Sequence, residues 1–248
     1  MNNKDMCNRE EKILLLLLPY WTPLIPPMGM ACIKSYLQEY GYSVKAKDAN
    51  ILNRFREISD SYLKLLGDYI PAGNKGNFEN IAGEVFAKHR MACLNYRDET
   101  QYTELVEQLV SQSFFYRLQH TQVRQLSKTV AEFYDRLETY LIDLLEQEKP
   151  TVLGISVYTA TAPASLFAFK LVKEKYSHIK TVMGGGIFCG DLHPGSPNYQ
   201  FFLEKAPFID AIIVGEGEQL FLKYLRGELA GPGRIYTLKD LEGRHLDL

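Results

Sequence analysis

The amino-acid sequence predicts an α/β protein: a mostly parallel sheet covered by helices on both faces, with a large helical section let into it. Two observations carry this. Short apolar runs followed by a loop and a helical pattern recur along the chain, and strands that alternate with helices pack as a parallel sheet. Glycine and proline are also unevenly placed. Both are frequent from Pro19 to Gly83 and from Pro150 to Gly233, and neither occurs between Glu84 and Lys149.

Each element has its own signal. Ile13 to Leu18 is continuously apolar, as a strand buried on both faces must be. The proline-rich loop PYWTPLIPP follows and opens a helix near Met28 that runs to Tyr40, where Gly41 ends it. Ser43 to Ala49 reads as a second strand. The stretch from Glu84 to Lys149 lacks turn formers and is rich in Glu, Gln, Leu, Arg and Tyr, so helices are expected there, and the chain from about Asn53 to Glu148 reads as mostly helical. Val123, Leu126, Val130, Phe133, Leu137, Tyr140, Leu141 and Leu144 recur at three- and four-residue steps, the spacing of one helix face. Val152 to Val157 is a third strand, with Pro163 opening the next helix. Lys180 to Met183 is a fourth, ending in Gly184-Gly185-Gly186. Ala211 to Val214 is a fifth, followed by GEGE and a helix through Leu225.

Composition excludes several classes. A chain of 248 residues can bury a sizeable core, and 28 basic against 30 acidic side chains leave a net charge of -2. That balance argues against disorder and against electrostatic binding of nucleic acid or a membrane surface. Ile13–Leu18 is too short for a transmembrane helix, and a cytoplasmic protein is expected. Cys7, Cys32, Cys93 and Cys189 show no CxxC or CxxxCxxC spacing, so neither a disulfide framework nor an iron–sulfur or zinc site is legible.

Ligands of open α/β sheets bind beyond the carboxyl ends of the strands. Four loops occupy those ends: Pro19–Pro27, Tyr158–Ala162, Gly184–Gly195 and Gly215–Glu218. Triple glycine permits close approach of a ligand to the backbone, although a tight turn with no ligand would use the same residues. The GEGE segment puts carboxylates at a helix N-terminus, which simple capping would also explain. The run from Ser156 to Thr161 offers hydroxyls at a strand end. Neither GxGxxG nor a P-loop is present. His193, in the Asp191-Leu192-His193 triplet, is weighed as a metal ligand against an ordinary loop histidine. No nucleophile–base set or carboxylate pair is legible, so the chain reads as one that holds a ligand, with no catalytic residues assigned.

Four motifs in order carry a resemblance. LLLLLPYWTPLIPPMGMACIKSYLQEYGYSVKAKDAN, VLGISVYTATAPASLFAFKLVKEKY, TVMGGGIFCGD and IDAIIVGEGEQLFLKYL resemble the cobalamin (B12)-binding domain of B12-dependent radical SAM proteins, across residues 13–52 and about 130–228. The resemblance implies a Rossmann-like, flavodoxin-like five-stranded sheet of order 2-1-3-4-5 formed by 1–52 and 129–230. It makes 53–128 a helical insertion and 231–248 a linker toward a radical SAM barrel that these residues do not contain. S-adenosylmethionine and a 4Fe–4S cluster are expected only in that barrel, reached in cis, or in trans if the chain is a stand-alone cobalamin carrier. The implied parent reaction is methyl transfer or a related radical step.

In the implied site, Tyr20, Trp21 and Thr22 form the wall under the corrin. Ser156, Tyr158 and Thr159 contact the nucleotide tail with Gly184, Gly185 and Gly186. Gly215, Glu216 and Gly217 border the corrin amides or the tail base. Cobalamin mutases place a histidine after the first strand in a DxHxxG motif. Here that loop has none, and the triplet at Asp191 follows the fourth strand with different spacing. The resemblance therefore implies base-off cobalamin without a protein histidine, His193 being the competing ligand. A Gly185→Leu change is expected to abolish cobalamin retention and leave the fold intact. Two other functions stay open: a flavodoxin-like nucleotide- or flavin-binding protein, and a scaffold whose helical section binds other proteins.

Overall fold

The computed structural model describes residues 11–21, 25–229 and 233–241. At its centre is a parallel sheet of six strands: β1 (Lys12–Leu17), β2 (Ser43–Asp48), β3 (Val152–Ser156), β4 (Lys180–Gly184), β5 (Ala211–Val214) and β6 (Ile235–Thr237). Their order is β2-β1-β3-β4-β5-β6. The leucine run of β1 lies between β2 and β3, with Leu15 opposite Ala46 on one side and Gly154 on the other. Its side chains alternate between two cores. Leu14 and Leu16 enter one, and Ile13, Leu15 and Leu17 enter the other, the period-two alternation of any strand.

The two faces are covered unequally. Helices α1 (Met28–Glu39) and α8 (Gly217–Leu225) cover one face, through Met30 and Leu37 on the first and Leu220, Phe221 and Leu225 on the second. The other face carries α2 (Asn53–Tyr69), α3 (Phe78–Asn95), α4 (Glu99–Phe114), α5 (His120–Glu148), α6 (Ala162–Lys175) and α7 (Pro197–Lys205). The stretch without glycine or proline is helical, and no described residue between β2 and β3 is in a strand. Its turns use other residues. Asp98 caps α4 by accepting the Gln101 N–H at 2.8 Å, and Phe115 leaves α4 at φ 51.

The expectation of five strands is corrected to six. β6 falls in the segment expected to be a linker, and it pairs Ile235, Tyr236 and Thr237 with Ile212, Ile213 and Val214. Three half-buried residues give no apolar run to recognise. What holds β6 is distant in sequence: Arg234 donates to the carbonyls of Ala206, Ile209 and Leu203 around the end of α7.

One buried polar cluster lies inside the helical layer. His89 of α3 is fully buried, with Nδ1 2.9 Å from the Tyr62 hydroxyl and Nε2 2.7 Å from the Tyr102 hydroxyl. Burial pushes the imidazole down to about 3 from its ordinary 6.5, because the charged form loses its water. The unfolded chain takes up this proton as the pH drops through 6.5, whereas the folded chain does not until about 3. The stability contributed by neutral His89 is therefore complete above pH 6.5 and declines below it, by up to about 1.4 kcal/mol per pH unit. Urea unfolding at about pH 7 and about pH 5 should show this loss, and a His89→Gln variant should show a flatter dependence.

Candidate functional site

Parallel strands all end at one edge of the sheet, and there a cavity of about 440 Å³ opens on the face covered by α1 and α8. Its floor is built by Leu15, Gly154, Val182 and Ile213, one residue from each of four adjacent strands. Met30 and Ile33 of α1 and Phe221 of α8 form the sides. Gly154 shapes the bottom: a Cβ there would stand 2.8 Å from Leu15 Cδ2 and 3.3 Å from Phe221 Cε1. Only a residue without a side chain lets those two close together over β3.

The mouth is glycine backbone. Gly184, Gly185 and Gly186 lie along one rim and Gly215 and Gly217 along another. Gly185 has φ 111, and a Cβ on it would come within 2.5 Å of both Val157 N and Val157 O. This close approach joins the loops after β3 and β4. Val157 N–H donates to Gly184 O at 2.7 Å, and Ile187 N–H donates to Val157 O at 3.1 Å. Gly186 leaves room for the Tyr158 ring, whose Cε1 lies 2.8 Å from where a Cβ would sit. The other face of Tyr158 stacks on Trp21, with centroids 3.9 Å apart and planes at 22°. Trp21 N–H in turn donates to Asn50 Oδ1 at 2.8 Å. Tyr158 thus packs on an indole and close to a glycine and lines the cavity, whereas Trp21, expected in the wall, stands behind it and outside the lining.

Ser156, Tyr158, Gly184, Gly185, Gly186, Gly215, Glu216 and Gly217 all line this one cavity. Glu216 sits at the N-cap of α8 without a side-chain capping hydrogen bond, and both it and Glu218 face the cavity. Thr159 is exposed in the 3-10 turn 159–161, outside the lining. Thr22 lies outside the described residues. Tyr20 corrects the reading of the first loop. Its hydroxyl donates to Phe55 O at 2.5 Å and its ring packs on Phe86 and Phe133, so it belongs to the helical layer. Burial raises its pKa. His193 is exposed in the loop after β4 and is not part of the lining. Among the described residues no three His, Cys, Asp or Glu side chains gather as a metal-binding group, and no helix is long and apolar enough to cross a membrane.

Sequence reasoning missed the floor and sides of the cavity, together with Gly29 and Cys189 at its edge. The glycine interrupting VLGISV was the one local signal available. The remaining residues are ordinary core types whose exposure to a cavity depends on how α1 and α8 pack on the sheet.

Comparison with known proteins adds an independent observation. Residues 117–225, from α5 to α8, match the family model of the B12 binding domain. The chain is 33% identical over 107 residues, 41% of its length, to the cobalamin-dependent radical SAM methyltransferase TokK of Streptomyces tokunonensis. It is 36% identical over 74 residues, 30% of its length, to the anaerobic magnesium-protoporphyrin IX monomethyl ester cyclase of Rubrivivax gelatinosus. The matched parts span 15% and 12% of those proteins. No solved structure matches the chain significantly.

The geometry of Gly185 corrects one expectation. A Gly185→Leu change cannot leave the fold intact, because its Cβ would overlap the Val157 backbone. Even Gly185→Ala should cost at least about 2 kcal/mol, more than an unfavourable φ alone, since backbone atoms must move. Denaturant titration against the wild type checks this.

Proposed function

We propose that this chain holds cobalamin base-off, with the nucleotide tail in the cavity between α1 and α8 and the corrin over its mouth. The observation that carries this reading is the cavity itself. It has an apolar floor made by four strands and a glycine-backbone mouth at the strand ends, in a chain whose residues 117–225 match the B12 binding domain. Its volume of about 440 Å³ falls within the range of small-ligand pockets. It suits a nucleotide tail better than a macrocycle, which leaves the corrin outside.

The donor set fits that group. The Gly184–Gly186 and Gly215–Gly217 segments give a ligand close access to main-chain atoms, and Ser156 supplies a hydroxyl. Leu15, Val182 and Ile213 offer apolar surface to an aromatic base. In this reading the cofactor's own base lies in the cavity, and among the described residues no histidine lines it. When bound, cobalamin would supply the cobalt chemistry of methyl transfer or a related radical step. In this reading the chain supplies no catalytic group. It excludes water from the tail and fixes the ring against the strand ends. The reacting partner is a radical SAM domain, in cis or in trans, a reading supported by the similarity to the cobalamin-dependent radical SAM methyltransferase TokK.

Hydroxocobalamin added to the chain should survive desalting, with its colour retained in near-equimolar amount. Retention of flavin or a nucleotide in its place would overturn the reading. Gly184→Leu is the informative block. A Cβ at Gly184 meets only Ile213 O, at 3.6 Å, so the turn tolerates the change while the side chain fills the cavity. This variant should unfold cooperatively like wild type and lose cobalamin retention by at least about 100-fold, or about 2.7 kcal/mol.

Electron paramagnetic resonance of bound Co(II) tests the ligation. The spectrum should lack strong nitrogen hyperfine splitting and be identical in His193→Ala. Loss of such splitting in that variant would make His193 the ligand.

A further inference from the structure

A full positive charge lies behind two of the loops at the strand ends, and it comes from the helical section. Arg90 of α3 is 1% exposed. Its guanidinium carbon lies 4.8, 4.7 and 5.1 Å from the ring centres of Tyr20, Phe86 and Phe133, and no carboxylate pairs with it among the described residues. Its hydrogen bonds go to main chain. Nη1 donates to Pro19 O at 3.3 Å and Nη2 to Ala160 O at 3.0 Å. Burying a cation without a counter-ion is costly, and aromatic faces offset part of that cost.

The two carbonyls identify what the charge does. Pro19 lies in the loop after β1, two residues before Trp21. Ala160 lies in the loop after β3, two residues after Tyr158. One planar group therefore grips both loops that supply the Trp21–Tyr158 stack. The Tyr134 hydroxyl donates to Arg90 O at 2.8 Å and ties that point of α3 to α5.

We propose that Arg90 is a positioning residue that sets the Trp21–Tyr158 stack, of which Tyr158 lines the cavity and Trp21 stands behind it, and that this is what the helical section contributes to the site. The proposal rests on the cobalamin reading only for its effect on affinity. Lysine cannot replace the fork, since one ammonium on a flexible stem does not present two nitrogens at fixed spacing to two separate carbonyls.

Trp21 is the chain's only tryptophan, so intrinsic fluorescence reports on this stack directly. In Arg90→Lys the far-ultraviolet circular dichroism should match wild type. Acrylamide quenching of Trp21 should rise, and cobalamin affinity should fall by at least about tenfold, or about 1.4 kcal/mol. Phe86→Leu is the control. It loosens the same core and removes one ring beside Arg90 without touching the two carbonyl bonds, so its thermal midpoint should fall while Trp21 quenching stays at the wild-type level.

Unchanged quenching in Arg90→Lys, or an equal rise in Phe86→Leu, would overturn the proposal. Should Arg90→Lys fail to fold, Arg90→Met carries no charge into the core and the same readings decide. If even the wild type takes up no cobalamin, the cobalamin reading fails, while the quenching comparison still decides whether Arg90 sets the stack.

Discussion

The leucine run of β1 must be hidden from water on both faces, and the architecture follows from that requirement. A strand with Leu14 and Leu16 on one side and Leu15 and Leu17 on the other needs a neighbour at each edge and a helical layer above and below. β2 and β3 supply the edges. The layers are unequal: two helices on one face and six on the other. On the thick side, Phe55, Phe86 and Phe133 belong to one apolar core with β1 and β3. On the thin side, residues of α1, α8 and four strands line a cavity at the strand ends.

That asymmetry divides the labour at the carboxyl edge. The thin side offers space, with an apolar floor and a glycine mouth. The thick side offers rigidity. Loops leaving parallel strands carry main-chain carbonyls that need partners once water is excluded, and two of these are met by the Arg90 fork. The glycine turn meets others by bringing Gly185 against Val157. Such closeness is open only to a residue with no side chain and freedom at positive φ. Among the described residues that line the cavity, the charged side chains are Glu216 and Glu218.

Local pattern made most of the fold legible. Alternation of short strand-like runs with helical patterns located five strands, and the absence of glycine and proline from Glu84 to Lys149 marked the later helices between β2 and β3. Glycine-rich strand ends pointed to the loops that gather at the cavity. Tyr20 and Trp21 show the limit. Adjacent in the chain and alike in composition, they turn to opposite sides, one to the helical core and the other to Tyr158. β6 shows the same limit, because Arg234 and β5 hold a segment that has no strand pattern of its own.

The sequence by itself determined five of the described strands, their parallel arrangement and the edge at which a ligand is expected. These depend on periodicity and turn chemistry, which are properties of neighbouring residues. The tertiary structure alone decided which of two adjacent aromatics packs on Tyr158, that Leu15 and Phe221 flank Gly154, and that Arg90 reaches from α3 to Pro19 and Ala160. All of these contacts join residues far apart in the chain, the Arg90 bonds about 70 positions, and their energies depend on distance and burial in the folded chain, which no local pattern encodes.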